Sequence, residues 1–243
     1  PVMVPMWMMV PAIACGNAFI LKPSEKVPSA SLQLIEWFEE AGLPPGVAQC
    51  LQGDAKTVQG LLEHPDIKAF TAVGSTKVAN YIYTEATKRG KRAHTFGGAK
   101  NHAVVMPDAN LEHAADNIVS AAFGSAGQRC MAISVVVAVG DSTASQLIEK
   151  MRPKIEKMKI GGGTEPNIDM GPVISLQQRD FLLNCLEQGQ KEGAELVVDG
   201  RQLPHPSKGF YLGPSLFDKV KANMAIYQNE LFGPILVILR VNS

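Results

Sequence analysis

Cys130 stands in the run Phe123-Gly124-Ser125-Ala126-Gly127-Gln128-Arg129-Cys130-Met131-Ala132, after an amphipathic stretch from Leu111 to Ala122 and before an apolar one from Ile133 to Val139. A thiol is a useful nucleophile only when backbone dipoles or a neighbouring cation favour its thiolate. The small residues Gly124, Ser125, Ala126 and Gly127 allow backbone N–H groups to approach whatever is bonded to the sulfur, and Arg129 sets a fixed positive charge beside it. An isolated cysteine at a helix end is ordinarily a packing residue; these neighbours make Cys130 a candidate nucleophile. Lys22 and Glu25, three residues apart at a strand end, can clamp the vicinal hydroxyls of a ribose, or can be a solvated ion pair. Gly74-Ser75-Thr76 follows a strand and opens a helix, where N–H groups and a hydroxyl can hold a phosphate. Ser75 can equally be an ordinary helix cap. The stretch has neither the Gly-Lys-Ser/Thr ending of a Walker loop nor more than the first glycine of G-x-G-x-x-G.

The elements that must position these residues alternate between strand and helix. Strands are predicted at Asn17 to Leu21, Val47 to Leu51 and Ile67 to Val73, with helices from Ser29 to Ala41, Asp54 to Glu63 and Thr76 to Lys88. This is the rhythm of an open parallel sheet, whose ligands lie beyond the carboxyl ends of the strands. After Gly97-Gly98 the pattern restarts: strand His102 to Met106, helix Leu111 to Phe123, strand Ile133 to Val139, then a helix with Leu147, Ile148, Met151, Ile155 and Met158 on one face. A helix from Leu176 to Lys191, a strand from Leu196 to Val198 and an apolar run from Ile235 to Val241 complete it. Two α/β units meeting near the double glycine are expected.

Composition excludes several classes. The chain has 243 residues, enough for one large domain or two modest ones, and its 23 basic and 23 acidic residues cancel. No basic stripe appears, so neither nucleic acid nor an anionic membrane is expected as a partner. Cysteines at 15, 50, 130 and 185 are too scattered for a zinc site or a disulfide scaffold; no metal is expected, and a reducing compartment suits them. Pro1 to Ala14 holds three prolines and four methionines and no charge, too short and Pro-broken to span a bilayer and without the basic flank of a secretory signal. With no initiator methionine, the chain reads as the middle of a longer protein.

Six pieces in order carry a resemblance to the aldehyde dehydrogenase superfamily across essentially the whole chain. They are Leu21-Lys22-Pro23-Ser24-Glu25, Ala41-Gly42-Leu43-Pro44-Pro45-Gly46-Val47, Val73-Gly74-Ser75, Gly97-Gly98, Gly127-Gln128-Arg129-Cys130 and Glu230-Leu231-Phe232-Gly233-Pro234. The resemblance implies a Rossmann-type NAD-binding part plus an α/β catalytic part, both incomplete. Residues 1–98 would be the C-terminal portion of the NAD-binding domain, and 99–243 the N-terminal portion of the catalytic domain that carries the nucleophile. Cys130 then matches the thiol that attacks the aldehyde carbon. Lys22 and Glu25 match the residues at the adenosine ribose of NAD, with Lys26 a neighbouring basic residue. Ser75 matches the serine at the pyrophosphate, Gly97 lies where backbone approaches the nicotinamide half, and Glu230 matches the carboxylate on the nicotinamide ribose, with Phe232 beside it. The side-chain half of the oxyanion hole, an asparagine in the superfamily, would lie upstream of Pro1.

One departure carries information. Hydrolytic members place a glutamate two residues before the double glycine, where this chain has Thr95 in His94-Thr95-Phe96-Gly97-Gly98. A threonine hydroxyl is no base near neutral pH, so water would attack a thioester slowly, whereas a thiol ionises readily. Transfer of the acyl group to coenzyme A is therefore expected. Gly98-Ala99-Lys100-Asn101-His102, Met106-Pro107-Asp108-Ala109-Asn110 and the run ending at Ala132 look like the CoA-acylating methylmalonate-semialdehyde dehydrogenases. The resemblance implies that Arg129 grips the carboxylate of a small semialdehyde, a task a guanidinium fork suits. Propionyl-CoA or acetyl-CoA would be the product. It also implies a homo-oligomer at full length, in the mitochondrial matrix of a eukaryote or the cytoplasm of a bacterium. The rivals are a hydrolytic aldehyde dehydrogenase releasing a free acid and a truncated chain that only binds a partner.

Overall fold

The computed structural model describes residues 1–242. They form two compact units, divided after Gly98. In the first, α1 (Met3–Ala14) runs through the apolar stretch that is too short and Pro-broken to span a bilayer. Pro5 falls in the first turn, where a missing N–H forfeits no helical bond, whereas Pro11 lies inside the helix and forgoes the bond to Trp7 O. Gly16, at φ +81°, ends the helix in a left-handed turn with its N–H on Ile13 O and that of Asn17 on Ala12 O. Met6, Met9 and Ile13 on one face of α1 pack with Leu21, Leu34, Ile35 and Ala48, which is what fixes the helix there.

β1 (Phe19–Leu21), α2 (Ser29–Glu40) and β2 (Ala48–Cys50) make one parallel βαβ unit. After α3 (Ala55–Glu63), capped by Asp54, β3 (Ala69–Val73), α4 (Thr76–Lys88) and β4 (Arg92–Phe96) make a second. The single open sheet expected from the sequence is thus two parallel pairs, since among the described residues no strand bridges them. Each pair has its own small apolar cluster, the second built on Leu62, Ile82 and Ala86.

The second unit holds the larger core. β5 (Asn101–Val105), α5 (Leu111–Phe123), β6 (Ile133–Val139), α6 (Asp141–Glu156), α7 (Leu176–Lys191), β7 (Glu195–Val198), β8 (Ser215–Asp218), α8 (Ala225–Gln228) and β9 (Ile235–Val241) follow in order. The five strands lie in the order β5-β6-β9-β8-β7, all parallel except β7 against β8. Strands covered on both faces read as continuous apolar runs, and Ile235, Leu236, Val237 and Ile238 of the central β9 are all buried. Leu147, Met151 and Ile155 of α6 are fully buried, with Ile148 and Met158 packed at the margin. On β9, Arg240 donates from Nε and Nη2 to the two carboxylate oxygens of the buried Asp218 on β8, at 3.0 and 2.7 Å. No described helix is long and apolar enough to cross a membrane.

Candidate active site

Cys130 is exposed, at the end of a loop that reverses the chain between α5 and β6. The reversal is made by three successive left-handed residues, Ser125 (φ 54°), Ala126 (φ 54°) and Gly127 (φ 67°). For L-residues each such conformation costs roughly 1–2 kcal/mol; the burial of the Ala126 methyl in the core offsets part of it. Such strain concentrates at functional loops. Gly127 is obligatory for a second reason: a Cβ there would collide with the carbonyl oxygen of Gly233. This close approach joins the loop carrying Cys130 to the loop carrying Glu230 and Phe232.

Side chains hold both loops. Gln128 Oε1 accepts from Ile174 N at 2.9 Å. Arg129 Nη2 donates to Ser120 O and Ala121 O, at 3.1 and 3.3 Å, and so caps the carbonyl end of α5. Gly124 leaves the space that this guanidinium occupies. Ala132 N donates to Arg129 O at 3.0 Å, closing a turn around Cys130. Asn101 Nδ2, at the start of β5, donates to Cys130 O at 2.7 Å and Ala132 O at 2.9 Å. On the facing loop, Ala99 N donates to Glu230 Oε1 at 3.3 Å, and Gln178 Nε2 donates to Leu231 O and Phe232 O. Phe232 is itself left-handed, at φ 52°. Lys100 Nζ donates to Ile226 O at 2.9 Å and Asn229 O at 2.7 Å, anchoring the chain just before Glu230. Burial pushes the Lys100 ammonium down to about 8, against the opposing pull of Cys185 and Glu230.

A shallow open cleft results, lined by Asn101, Gly127, Arg129, Cys130, Glu230 and Phe232, among others. The structure therefore brings Cys130, Arg129, Glu230 and Phe232 together. Asn101, Lys100 and Gln178 are supports that no spacing rule reveals, because their partners lie 29 to 129 residues away.

The remaining candidates lie in the first unit, at the carboxyl ends of its strands. Lys22 follows β1 and donates to Gly53 O at 2.6 Å; its ammonium is 3.7 Å from Glu25 Oε2. The ion pair that competes with the ribose clamp is thus formed, although the Glu25 carboxylate stays exposed. Lys26 is exposed, with its N–H on Ser24 Oγ. Ser75 follows β3 and caps α4, its Oγ accepting from Val78 N at 3.4 Å. Gly97 follows β4 so closely against α4 that a Cβ would sit 3.1 Å from Thr76 Cα and Oγ1, while Gly98 N donates to that Oγ1 at 3.0 Å. Thr95, half-buried on β4, pairs in register with Ala72. All four cysteines are free.

The model of the aldehyde dehydrogenase family matches residues 1–243. A malonate-semialdehyde dehydrogenase of Pseudomonas aeruginosa is 54% identical, over 100% of this chain and 49% of its own length. The crystal structure of a methylmalonate-semialdehyde dehydrogenase from Oceanimonas doudoroffii superposes with a TM-score of 0.97 at 47% identity, over all of this chain and 50% of that one. An aldehyde dehydrogenase from Bacillus cereus, solved as its NAD+ complex, superposes with a TM-score of 0.94 at 31% identity, over all of this chain and 49% of that one. The chain spans about half the length of the curated relatives it matches. Its architecture is the aldehyde dehydrogenase fold, and the chain belongs to the aldehyde dehydrogenase family.

Proposed function

We propose that the protein takes part in NAD-dependent oxidation of malonate or methylmalonate semialdehyde, with transfer of the acyl group from a Cys130 thioester to coenzyme A. The observation that carries this reading is the exposed Cys130 thiol in a cleft shared with Arg129, Glu230 and Phe232, on a turn held from both sides. The substrate class is supported by the Pseudomonas and Oceanimonas relatives, and NAD by the Bacillus cereus complex.

In this reading the Cys130 thiolate adds to the aldehyde carbon, a C–S bond forming as the carbonyl electron pair moves to oxygen. The backbone N–H of Cys130 donates to that oxyanion. Arg129 spends Nη2 on the helix carbonyls, and since Nη2 belongs to both forked edges of the guanidinium, the carboxylate of the substrate would be met by a single N–H, from Nε or Nη1, and by the positive charge. NAD, when bound, supplies the hydride acceptor. The thioester left on Cys130 stabilises the carbanion that forms as the C–C bond to the substrate carboxylate breaks and carbon dioxide leaves, to be hydrated to bicarbonate by water; the carbanion then takes a proton from solvent. In the resembling superfamily the position matched by Thr95 holds the base for the deacylating water, and a threonine hydroxyl is no base, which supports the thiol of coenzyme A as the acceptor.

Taken in each unit by itself, the residues present suit separate parts of a dinucleotide. Lys22 Nζ has N–H capacity beyond its bond to Gly53 O, and Glu25 is open to accept from ribose hydroxyls. Lys26 adds a neighbouring positive charge. Ser75 satisfies one N–H of α4, and a helix start leaves others directed outward, as a pyrophosphate requires. Gly97 allows backbone approach where a side chain would not fit, and Glu230 with Phe232 would hold the nicotinamide ribose. The test is product analysis of the complete gene product with malonate semialdehyde and NAD. Acetyl-CoA formed only when coenzyme A is supplied supports the reading; free acid released equally fast without it returns the hydrolytic alternative.

A further inference from the structure

We propose that Asn101 is a positioning residue for the Cys130 thiol, a reading that rests on Cys130 as the nucleophile. Arg129, Cys130 and Met131 are all exposed, Met131 at 63%, so burial does nothing to define the backbone that carries the thiol. Hydrogen bonds must define it instead. Asn101 Nδ2 supplies two of them, to Cys130 O at 2.7 Å and Ala132 O at 2.9 Å, the carbonyls on either side of Met131. The third is Ala132 N to Arg129 O at 3.0 Å. A bulge aims the amide: Asn101 pairs with Ile133 but His102 pairs with Val135, so Ser134 is an extra residue on β6 at this point. Bulges beside functional sites re-aim side chains in this way.

The chemistry of the position is selective. Two carbonyl oxygens must be met by two N–H groups on one short neutral side chain, which asparagine alone provides at this length. Aspartate would set acceptors against acceptors, and serine would satisfy one carbonyl only. Lys100, the preceding residue, does the same for the other loop through Ile226 O and Asn229 O, so adjacent residues at the head of β5 brace both walls of the cleft.

The experiment compares Asn101→Ala and Asn101→Ser with the wild-type complete gene product, reading kcat, KM for NAD, melting temperature and site-resolved alkylation of the cysteines by iodoacetamide over a pH series. Exposed Cys15 is the internal reference. A displacement of reacting atoms by about 1 Å costs on the order of a hundredfold. Asn101→Ala should therefore lose about that factor in kcat with KM for NAD unchanged, Asn101→Ser should lie between, and the alkylation profile of Cys130 should shift while that of Cys15 does not. Unchanged kcat and an unchanged Cys130 profile overturn the proposal, whatever the melting temperature does. Should Asn101→Ala not fold, Asn101→Ser is read by the same two criteria. Cys130→Ala run alongside separates the two readings: if it keeps turnover, the nucleophile assignment falls, and the alkylation profile alone decides whether Asn101 holds the turn.

Discussion

Gly127→Ala adds one carbon where the two loops of the cleft meet. Its φ of 67° is left-handed, and the new Cβ would strike Gly233 O, lie 2.6 Å from Gly233 C and 3.1 Å from Ala122 O. The conformational cost for a non-glycine residue is roughly 1–2 kcal/mol. Overpacking against backbone, which cannot rotate away, adds about 1–3 kcal/mol. A total of roughly 2–5 kcal/mol corresponds to a fall in melting temperature of about 4–20 °C for a chain of this size. The contact is relieved only by moving the Cys130 loop away from the Glu230 loop, a displacement large enough to cost on the order of a hundredfold in turnover. Differential scanning fluorimetry and steady-state kinetics measure the two effects. Gly163→Ala is the control, since a Cβ at Gly163 meets nothing within 4 Å, and it should leave both near wild type. Native melting temperature and native turnover in Gly127→Ala would refute the close approach of the loops and its role in shaping the cleft.

Arg129→Leu should lower kcat/KM for malonate semialdehyde by about 2–5 kcal/mol more than for propionaldehyde, if the free part of the guanidinium pairs with a desolvated carboxylate. Loss of the α5 cap alone would weaken both substrates equally, and side-by-side kinetics tells the two apart. The pH dependence of stability carries a signature of Lys100, whose ammonium burial lowers from 10.5 to about 8. Between those values the unfolded chain holds a proton that the folded chain has released, so this group makes stability rise with pH across that window. Urea midpoints of wild type relative to Lys100→Met should accordingly rise from pH 8 to pH 10.5, and a difference that stays flat would show that Lys100 is not buried as a cation.

The elements most legible in the sequence are those whose burial matches a simple period. α5, β6, α7 and β9 begin and end where periodicity, caps and apolar runs place them, because their faces are set by one continuous core. α1 is hidden because its prolines look prohibitive: Pro5 falls in the first turn, where a helix tolerates it, but Pro11 lies inside the helix, which the packing of Met6, Met9 and Ile13 holds in spite of it. β4 reads Arg-Ala-His-Thr-Phe, with the apolar Phe96 on its exposed face and the polar Thr95 on the half-buried one, and β8 is a four-residue strand buried on both faces; neither shows a polar/apolar alternation. At the site, the Gly-Gln-Arg-Cys run is visible because the chemistry is in the residue types. The bracing is not, since it depends on a bulge at Asn101 and on bonds from Lys100 and Gln178 to distant carbonyls. Ser75 and Lys22 show the reverse: each also makes the ordinary local contact, a helix cap and an ion pair, that competes with the functional reading.

The central claim is a covalent acyl intermediate on Cys130. Mixing the complete gene product with NAD and malonate semialdehyde in the absence of coenzyme A, quenching in acid and mapping peptides by mass spectrometry tests it directly. An acyl adduct on the peptide containing Cys130, discharged when coenzyme A is added, is the predicted result. Reduction of NAD with no adduct on Cys130, or with the acyl group on Cys15, Cys50 or Cys185 instead, would contradict it.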